Sequence, residues 1–169
     1  GSPQGAAVRD RPVEIVGDAQ RMTAIAYRDG VLAADSVGWA AEGHVKTPVS
    51  PKIVRHDGVG MFACCGGETE IALATEWMTR SGTPKPTLDH QEGFGCIWVR
   101  PNGSVWYINW RLHPVPRPEG FMAIGASDKF MLGAMFAGAS AEEAVRLAIL
   151  HTDGAGGAVQ VERLGQLAT

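Results

Sequence analysis

Met22-Thr23-Ala24-Ile25-Ala26-Tyr27-Arg28-Asp29-Gly30-Val31-Leu32-Ala33-Ala34-Asp35-Ser36 is the stretch that decides the fold. Two short apolar runs, residues 24–27 and 31–34, flank Arg28-Asp29-Gly30. An Asp-Gly step between apolar runs is a strong hairpin signal, because both residues tolerate the positive φ that a tight turn demands. The open end of this hairpin carries Thr23 on one side and Asp35-Ser36 on the other. Thr23 stands directly behind Met22. If Met22 starts a chain, its removal exposes an α-amine beside the Thr23 hydroxyl, and that pair can serve as nucleophile and base. In the full sequence twenty-two residues precede Thr23, so the amine is held in a peptide bond.

Outward from the hairpin, residues 1–22 are polar apart from Val13-Glu14-Ile15-Val16, and Gly1-Ser2 resembles a tag remnant. They read as a leader, a tag or a propeptide-like extension, with residues 23–169 as a single domain. Downstream, residues 37–51 read as a loop or irregular excursion. Lys52-Ile53-Val54 is a short strand, Asp57-Gly58 a second turn, and residues 60–65 a further strand ended by Gly66-Gly67. Residues 68–80 form a helix, because Ile71, Ala72, Ala74, Thr75 and Met78 recur at three-to-four spacing. Ser81-Gly82-Thr83-Pro84 stops it. Residues 83–92 are loop, and residues 94–99 and 104–108 are strands around Pro101-Asn102-Gly103. Residues 109–119 hold three prolines and read as an extended loop; residues 121–125 are a core strand. A helix follows over residues 127–136, broken by Gly138. Ser140-Ala141-Glu142-Glu143 is a capping box, with a serine hydroxyl and a glutamate three residues on satisfying each other's end amides. It opens a helix with Ala144, Leu147, Ala148 and His151 on one core-facing stripe. Asp153-Gly154-Ala155-Gly156-Gly157 ends that helix, and residues 158–161 form a closing strand. This order fits an α+β chain with helices on the outer faces of antiparallel sheets.

Composition narrows the partners. The chain has 169 residues, 45% of them hydrophobic, which is enough for one real core. The formal charge is −3 and no basic stripe occurs, which argues against nucleic acid. No apolar run approaches the roughly 18 residues needed to cross a membrane, and residues 1–21 contain no signal-peptide core. Three cysteines, two of them adjacent, make no disulfide framework and fit a reducing, cytoplasmic setting. The five histidines lack zinc-like spacing, so neither a metal nor a cofactor is expected. Trp98, Trp106 and Trp110 read either as a peptide-binding surface or, more ordinarily, as filling between sheet and helix.

Residues 23–36, Lys52, residues 62–67, residues 121–128, the helix opened by Ser140 and residues 153–161 together resemble the proteasome β-subunit family, especially the bacterial HslV-like peptidases. Those are N-terminal nucleophile hydrolases with a four-layer αββα sandwich. The likeness runs in order through most of residues 23–161. It implies a catalytic role for Thr23 as nucleophile and for Asp35 and Lys52 as its charged support. Gly66 or Gly67 matches the glycine whose amide helps form the oxyanion hole. Asp153, with Gly156-Gly157 behind it, resembles the family's late aspartate and glycine pair. Ser127 lies near the supporting serine, although Ala126 occupies the expected serine place. The resemblance also implies self-association into a ring or smaller oligomer, peptide or unfolded-protein substrates, and an ATP-dependent unfoldase as partner.

The chemistry is coherent on its own terms. A threonine hydroxyl needs a nearby base, and an α-amine with a pKa near ~8 supplies one in its neutral form. A lysine such as Lys52 would favour that neutral form by its field, with Asp35 orienting the lysine. Glycine lets a backbone amide come close to a developing oxyanion. Taken singly, each residue also has an ordinary use: Thr23 as a β-former, Asp35 as a turn cap, Lys52 as a solvated strand edge, Gly66-Gly67 as a helix cap and Asp153-Gly154 as a turn.

Departures from the family are equally specific. The first hairpin is short, though a symmetric loss from both strands would keep its register, since side chains alternate with a period of two. Thirteen polar, proline-bearing residues between Arg80 and Phe94 replace a second long helix, so a reduced helical layer is expected after residue 80. Arg21-Met22 precedes Thr23 where self-cleaving relatives carry glycine, which argues against autolysis; methionine removal exposes Thr23 only if Met22 is the first residue. The expected function is a threonine-type peptidase, active only with Thr23 at the N-terminus. The alternatives are an inactive structural or assembly protein on the same fold, and a non-peptide amidohydrolase.

Overall fold

The computed structural model describes residues 23–40, 45–47 and 51–165. Asp29 and Gly30 take φ of 51° and 79°, the double positive that a two-residue hairpin turn requires. They join β1 (Ala24–Arg28) to β2 (Val31–Ala34), with Arg28 opposite Val31 and Ile25 opposite Ala34. A two-stranded ribbon of β3 (Gly38–Ala40) and β4 (Val45–Thr47) follows. Next come β5 (Ile53–His56), β6 (Gly60–Cys65) and α1 (Glu68–Thr79). Then come β7 (Gly95–Val99), β8 (Val105–Asn109), β9 (Pro114–Pro116) and β10 (Phe121–Gly125). The described chain ends with α2 (Asp128–Phe136), α3 (Ala141–His151) and β11 (Gln160–Arg163).

Two antiparallel sheets result. The first has the order β10-β1-β2-β11 and the second runs β5-β6-β7-β8-β9. Strand alternation sorts the side chains into three apolar layers. Ile25, Tyr27, Leu32 and Ala34 face Met61, Ala63, Cys65 and Ile97 between the sheets. Ala24, Ala26 and Ala33 turn the other way, against Met131, Met135, Ala144, Val145 and Ala148 of α2 and α3. Phe62, Cys64 and Cys96 point out of the second sheet, against Ala74 of α1 and against Leu88, Phe94 and Leu112. The layers are therefore helix, sheet, sheet, helix, an α+β sandwich.

The reduced helical layer is present: between Arg80 and Phe94 the chain makes only a 3₁₀ turn at His90–Glu92. The Ser140 capping box is formed, with Ser140 Oγ accepting the Glu143 N–H and Glu143 Oε2 accepting the Ser140 N–H, both at 3.1 Å. Two expected loops are partly strand. The β3–β4 ribbon lies in the 37–51 excursion, whose residues 41–44 and 48–50 fall outside the described residues. β9 lies in the proline-rich 109–119 segment and pairs with β8 through Tyr107 and Val115. Prolines are tolerated there because β9 is an edge strand and needs no outward N–H. Among the described residues, no helix is long and apolar enough to cross a membrane.

Candidate active site

The hairpin register fixes two of the site residues. Asp35 N–H donates to Ala24 O and Ala24 N–H donates to Asp35 Oδ1, each at 3.0 Å. Thr23, one residue upstream, is thereby held beside Asp35 at the open end of β1 and β2. Its carbonyl is anchored in turn by the Ala126 N–H at 3.0 Å. Gly125, at φ 100°, makes this passage possible, because a Cβ there would collide with Thr23 O.

Lys52 comes from the other sheet, just ahead of β5. Its Nζ lies 2.6 Å from Asp35 Oδ1 and 3.3 Å from Thr23 Oγ1. The Asp35 side chain is fully buried and that of Lys52 is 9% exposed. Burial pushes the Lys52 ammonium below its ordinary pKa of 10.5, and the charge and hydrogen bond of Asp35 oppose that shift without cancelling it. Asp35 Oδ2 accepts a further hydrogen bond from the Gly156 N–H at 3.1 Å. The Gly156 carbonyl accepts the N–H groups of Ser36 and Val37, each at 3.2 Å.

Gly66 follows Cys65, the last residue of β6, whose thiol lies within electrostatic reach of Lys52. Gly66 has φ 121°, and a Cβ on it would stand 2.8 Å from Phe94 Cα. Gly67 is the N-cap of α1, and a Cβ there would meet Glu92 Oε2 at 2.6 Å. Both glycines let the backbone run close under residues 92–94.

Ser127 is buried, and its Oγ lies 2.7 Å from Thr152 Oγ1. Thr152 spends its own proton on Ala148 O at 2.8 Å, so Ser127 is the donor of the pair. The Ser127 hydroxyl thus ties the start of α2 to the end of α3 and reaches Thr23 only through the neighbouring Ala126. Asp153 is exposed and, among the described residues, makes no hydrogen bond or ion pair. The structure therefore gathers Thr23, Asp35 and Lys52, sets Gly66 and Gly67 at the strand end beyond Cys65, and leaves Ser127 and Asp153 without direct contact to that group.

Two participants were not foreseen in these roles. Gly156 was visible only as half of a glycine pair, not as a donor to Asp35. Gln160, in β11, accepts the Lys52 backbone N–H on Oε1 at 2.9 Å. A single glutamine in a strand carries no sequence signal for such a contact.

No protein-family model and no curated protein sequence matches the chain. Solved structures do match. Thiobacillus denitrificans BPH in complex with epoxomicin superposes with a TM-score of 0.60 at 17% identity, over 85% of this chain and 98% of that one. A second structure of T. denitrificans BPH gives 0.56 at 18% identity over the same shares. Eukaryotic HslV from Trypanosoma brucei gives 0.56 at 17% identity, over 83% of this chain and 97% of its own. At such identities the likeness carries the fold, and over most of its length this chain is built on the HslV and proteasome-type fold of the N-terminal nucleophile hydrolases.

Proposed function

We propose that this chain is a threonine-type peptidase that hydrolyses peptide bonds in unfolded proteins or peptides once Thr23 is N-terminal. The carrying observation is the position of Lys52 Nζ, which touches both the Thr23 hydroxyl and the buried Asp35 carboxylate. In this mechanism the freed Thr23 α-amine takes the Oγ proton as Oγ attacks the scissile carbonyl. The Lys52 charge favours the neutral amine beforehand and the alkoxide-like oxygen during attack. The Gly66 amide, or that of Gly67, stabilises the oxyanion. The amine returns the proton to the leaving nitrogen, and water then hydrolyses the Thr23 ester. Self-association and delivery of substrate by an ATP-dependent unfoldase complete the proposal and rest on the resemblance; a sizing measurement showing only monomer would remove the first.

A second reading, a silent assembly protein on the same fold, is favoured by the Met22–Thr23 peptide bond of the full sequence. One experiment separates the two. A chain begun at Met22 is made in cells, its intact mass is recorded, and it is assayed for peptide hydrolysis and for binding of epoxomicin. The peptidase reading expects loss of the Met22 mass, turnover, and one epoxomicin per chain, with all reactivity lost in Thr23→Ala. Lys52→Ala should lower turnover by about 10²–10⁴-fold. Turnover that survives Thr23→Ala overturns the mechanism. An inert chain that has lost Met22 establishes the silent reading.

A further inference from the structure

We propose that Gln160 is a positioning residue that holds Lys52 in reach of Thr23 by gripping its backbone; this rests on the reading of Lys52 as part of the active site. Thr23 and Asp35 belong to the first sheet, whereas Lys52 enters from the second. The location of Nζ therefore depends on how the two sheets are pinned together at that corner. β11 and β5 are the edge strands that meet there.

Gln160 bonds to both sides. Its backbone is in register with Ala34, the residue before Asp35. Its side-chain oxygen accepts the Lys52 N–H at 2.9 Å. With the 2.6 Å contact between Lys52 Nζ and Asp35 Oδ1, this closes a ring of Asp35, Lys52, Gln160 and Ala34. Pro51 has no N–H, so the Lys52 amide is the first donor available as the chain enters β5. Gln160 takes that donor.

Farther along the same strands, Arg55 Nε pairs with Glu162 Oε2 at 2.9 Å, and an Arg55 guanidinium nitrogen also donates to Arg163 O. That pair staples the sheets without touching Lys52. It is the natural control: an ion pair of the same edge whose loss should cost stability without moving the lysine.

The test compares Gln160→Leu, Gln160→Glu and Glu162→Gln, each in the chain begun at Met22. Gln160→Leu keeps the volume and removes the acceptor. A displaced reacting group costs rate steeply, on the order of 10²-fold per ångström, so kcat should fall at least tenfold with KM unchanged. Gln160→Glu keeps an acceptor and should restore most of kcat. Its added negative charge should move the descending limb of the pH profile to higher pH, because it favours the protonated lysine that the mechanism uses. Glu162→Gln should leave kcat and the profile alone.

A second readout does not need activity. The Lys52 titration, followed by NMR of 13C-labelled lysine, should move in Gln160→Leu and stay in place in Glu162→Gln. Equal kcat, equal pH profile and an unmoved Lys52 titration in Gln160→Leu would overturn the proposal. If the parent chain has no turnover but its Lys52 titration still moves on Gln160→Leu, the positioning role stands and the peptidase reading falls. Should Gln160→Leu fail to fold, Gln160→Glu decides alone, since a profile identical to the parent's overturns the role.

Discussion

Asp35 carries more polar bonds than any other buried side chain at the site. It accepts from Ala24 N–H, Gly156 N–H and Lys52 Nζ while fully buried. Charges taken out of water need such compensation, and removing one partner strands the other. Asp35→Ala leaves the Lys52 ammonium buried beside only the Thr23 hydroxyl. We expect a loss of about 3–5 kcal/mol in chemical denaturation, the usual cost of breaking a buried pair. The pH dependence has a definite sign. Lys52 in the folded chain already sits below 10.5, and losing Asp35 lowers it further, since Asp35 is the group that raises it. A lysine depressed on folding destabilises fully below its folded pKa, and the penalty is relieved as pH rises toward the unfolded value. The denaturation midpoint of Asp35→Ala should therefore climb with alkaline pH more steeply than that of the parent. A flat profile would show that Lys52 escapes to solvent. In the sequence, Thr23, Asp35 and Lys52 could be singled out because an Asp-Gly turn sets the register between the first two and their order matched a known family. Ser127 and Asp153 were less legible. Their roles depend on which way a hydroxyl and a carboxylate point at the end of α3, and spacing does not encode that.

At the scale of elements, glycine positions divide by what surrounds them. Gly66 combines φ of 121° with a Cβ site 2.8 Å from Phe94 Cα, so alanine there faces both backbone strain and a clash with main chain. Gly66→Ala should lower stability by at least about 1–3 kcal/mol, the cost of a residue forced into such a region, and should disturb the turn that leads into α1. Gly133 lies within α2 with nothing within 4 Å of its Cβ site. Gly133→Ala should raise stability by about 0.5–1 kcal/mol, because alanine loses less backbone freedom in a helix. Thermal melts of the two variants should shift in opposite directions, and a shared sign would contradict this account of the local geometry. Elements with local punctuation were legible: the Asp-Gly hairpin, α1 and the Ser140 capping box all lie where the sequence places them, although the core-facing stripe of α3 runs through Ala141, Ala144, Val145 and Ala148 and leaves Leu147 and His151 exposed. β9 was not, because Pro114 and Pro116 argue against a strand unless its outer edge is known to be unpaired. The β3–β4 ribbon was not either, since strands of three residues have too little alternation to read.

Across the whole molecule, the missing second helix has to be offset on the outer face of the second sheet. Trp98 and Trp106 are cross-strand partners on that face, and the Arg100 guanidinium lies over both rings at 5.0 and 5.5 Å. Trp98 Nε1 donates to Val59 O at 2.8 Å, which fixes one ring against the sheet. An aromatic and guanidinium cover thus does part of what a helix does elsewhere in the fold, which resolves the two readings of Trp98 and Trp106 toward packing, whereas Trp110 is exposed. Such a cover is thinner than a helix, and both rings remain half-buried. The first sheet has no comparable gap: α2 and α3 lie on one face, the second sheet on the other, and Ala24, Ile25, Ala26, Leu32, Ala33 and Ala34 are all fully buried. Local opening follows local burial. Native-state hydrogen exchange should therefore protect β1, β2 and β6 most, and β8 and β9 should open at distinctly lower free energy. Arg100→Ala should widen that difference by uncovering both tryptophans, while leaving β1 and β2 unchanged. If β8 amides in the parent chain exchange as slowly as those of β2, the two faces are equally closed and the aromatic cover is a full substitute for the helix.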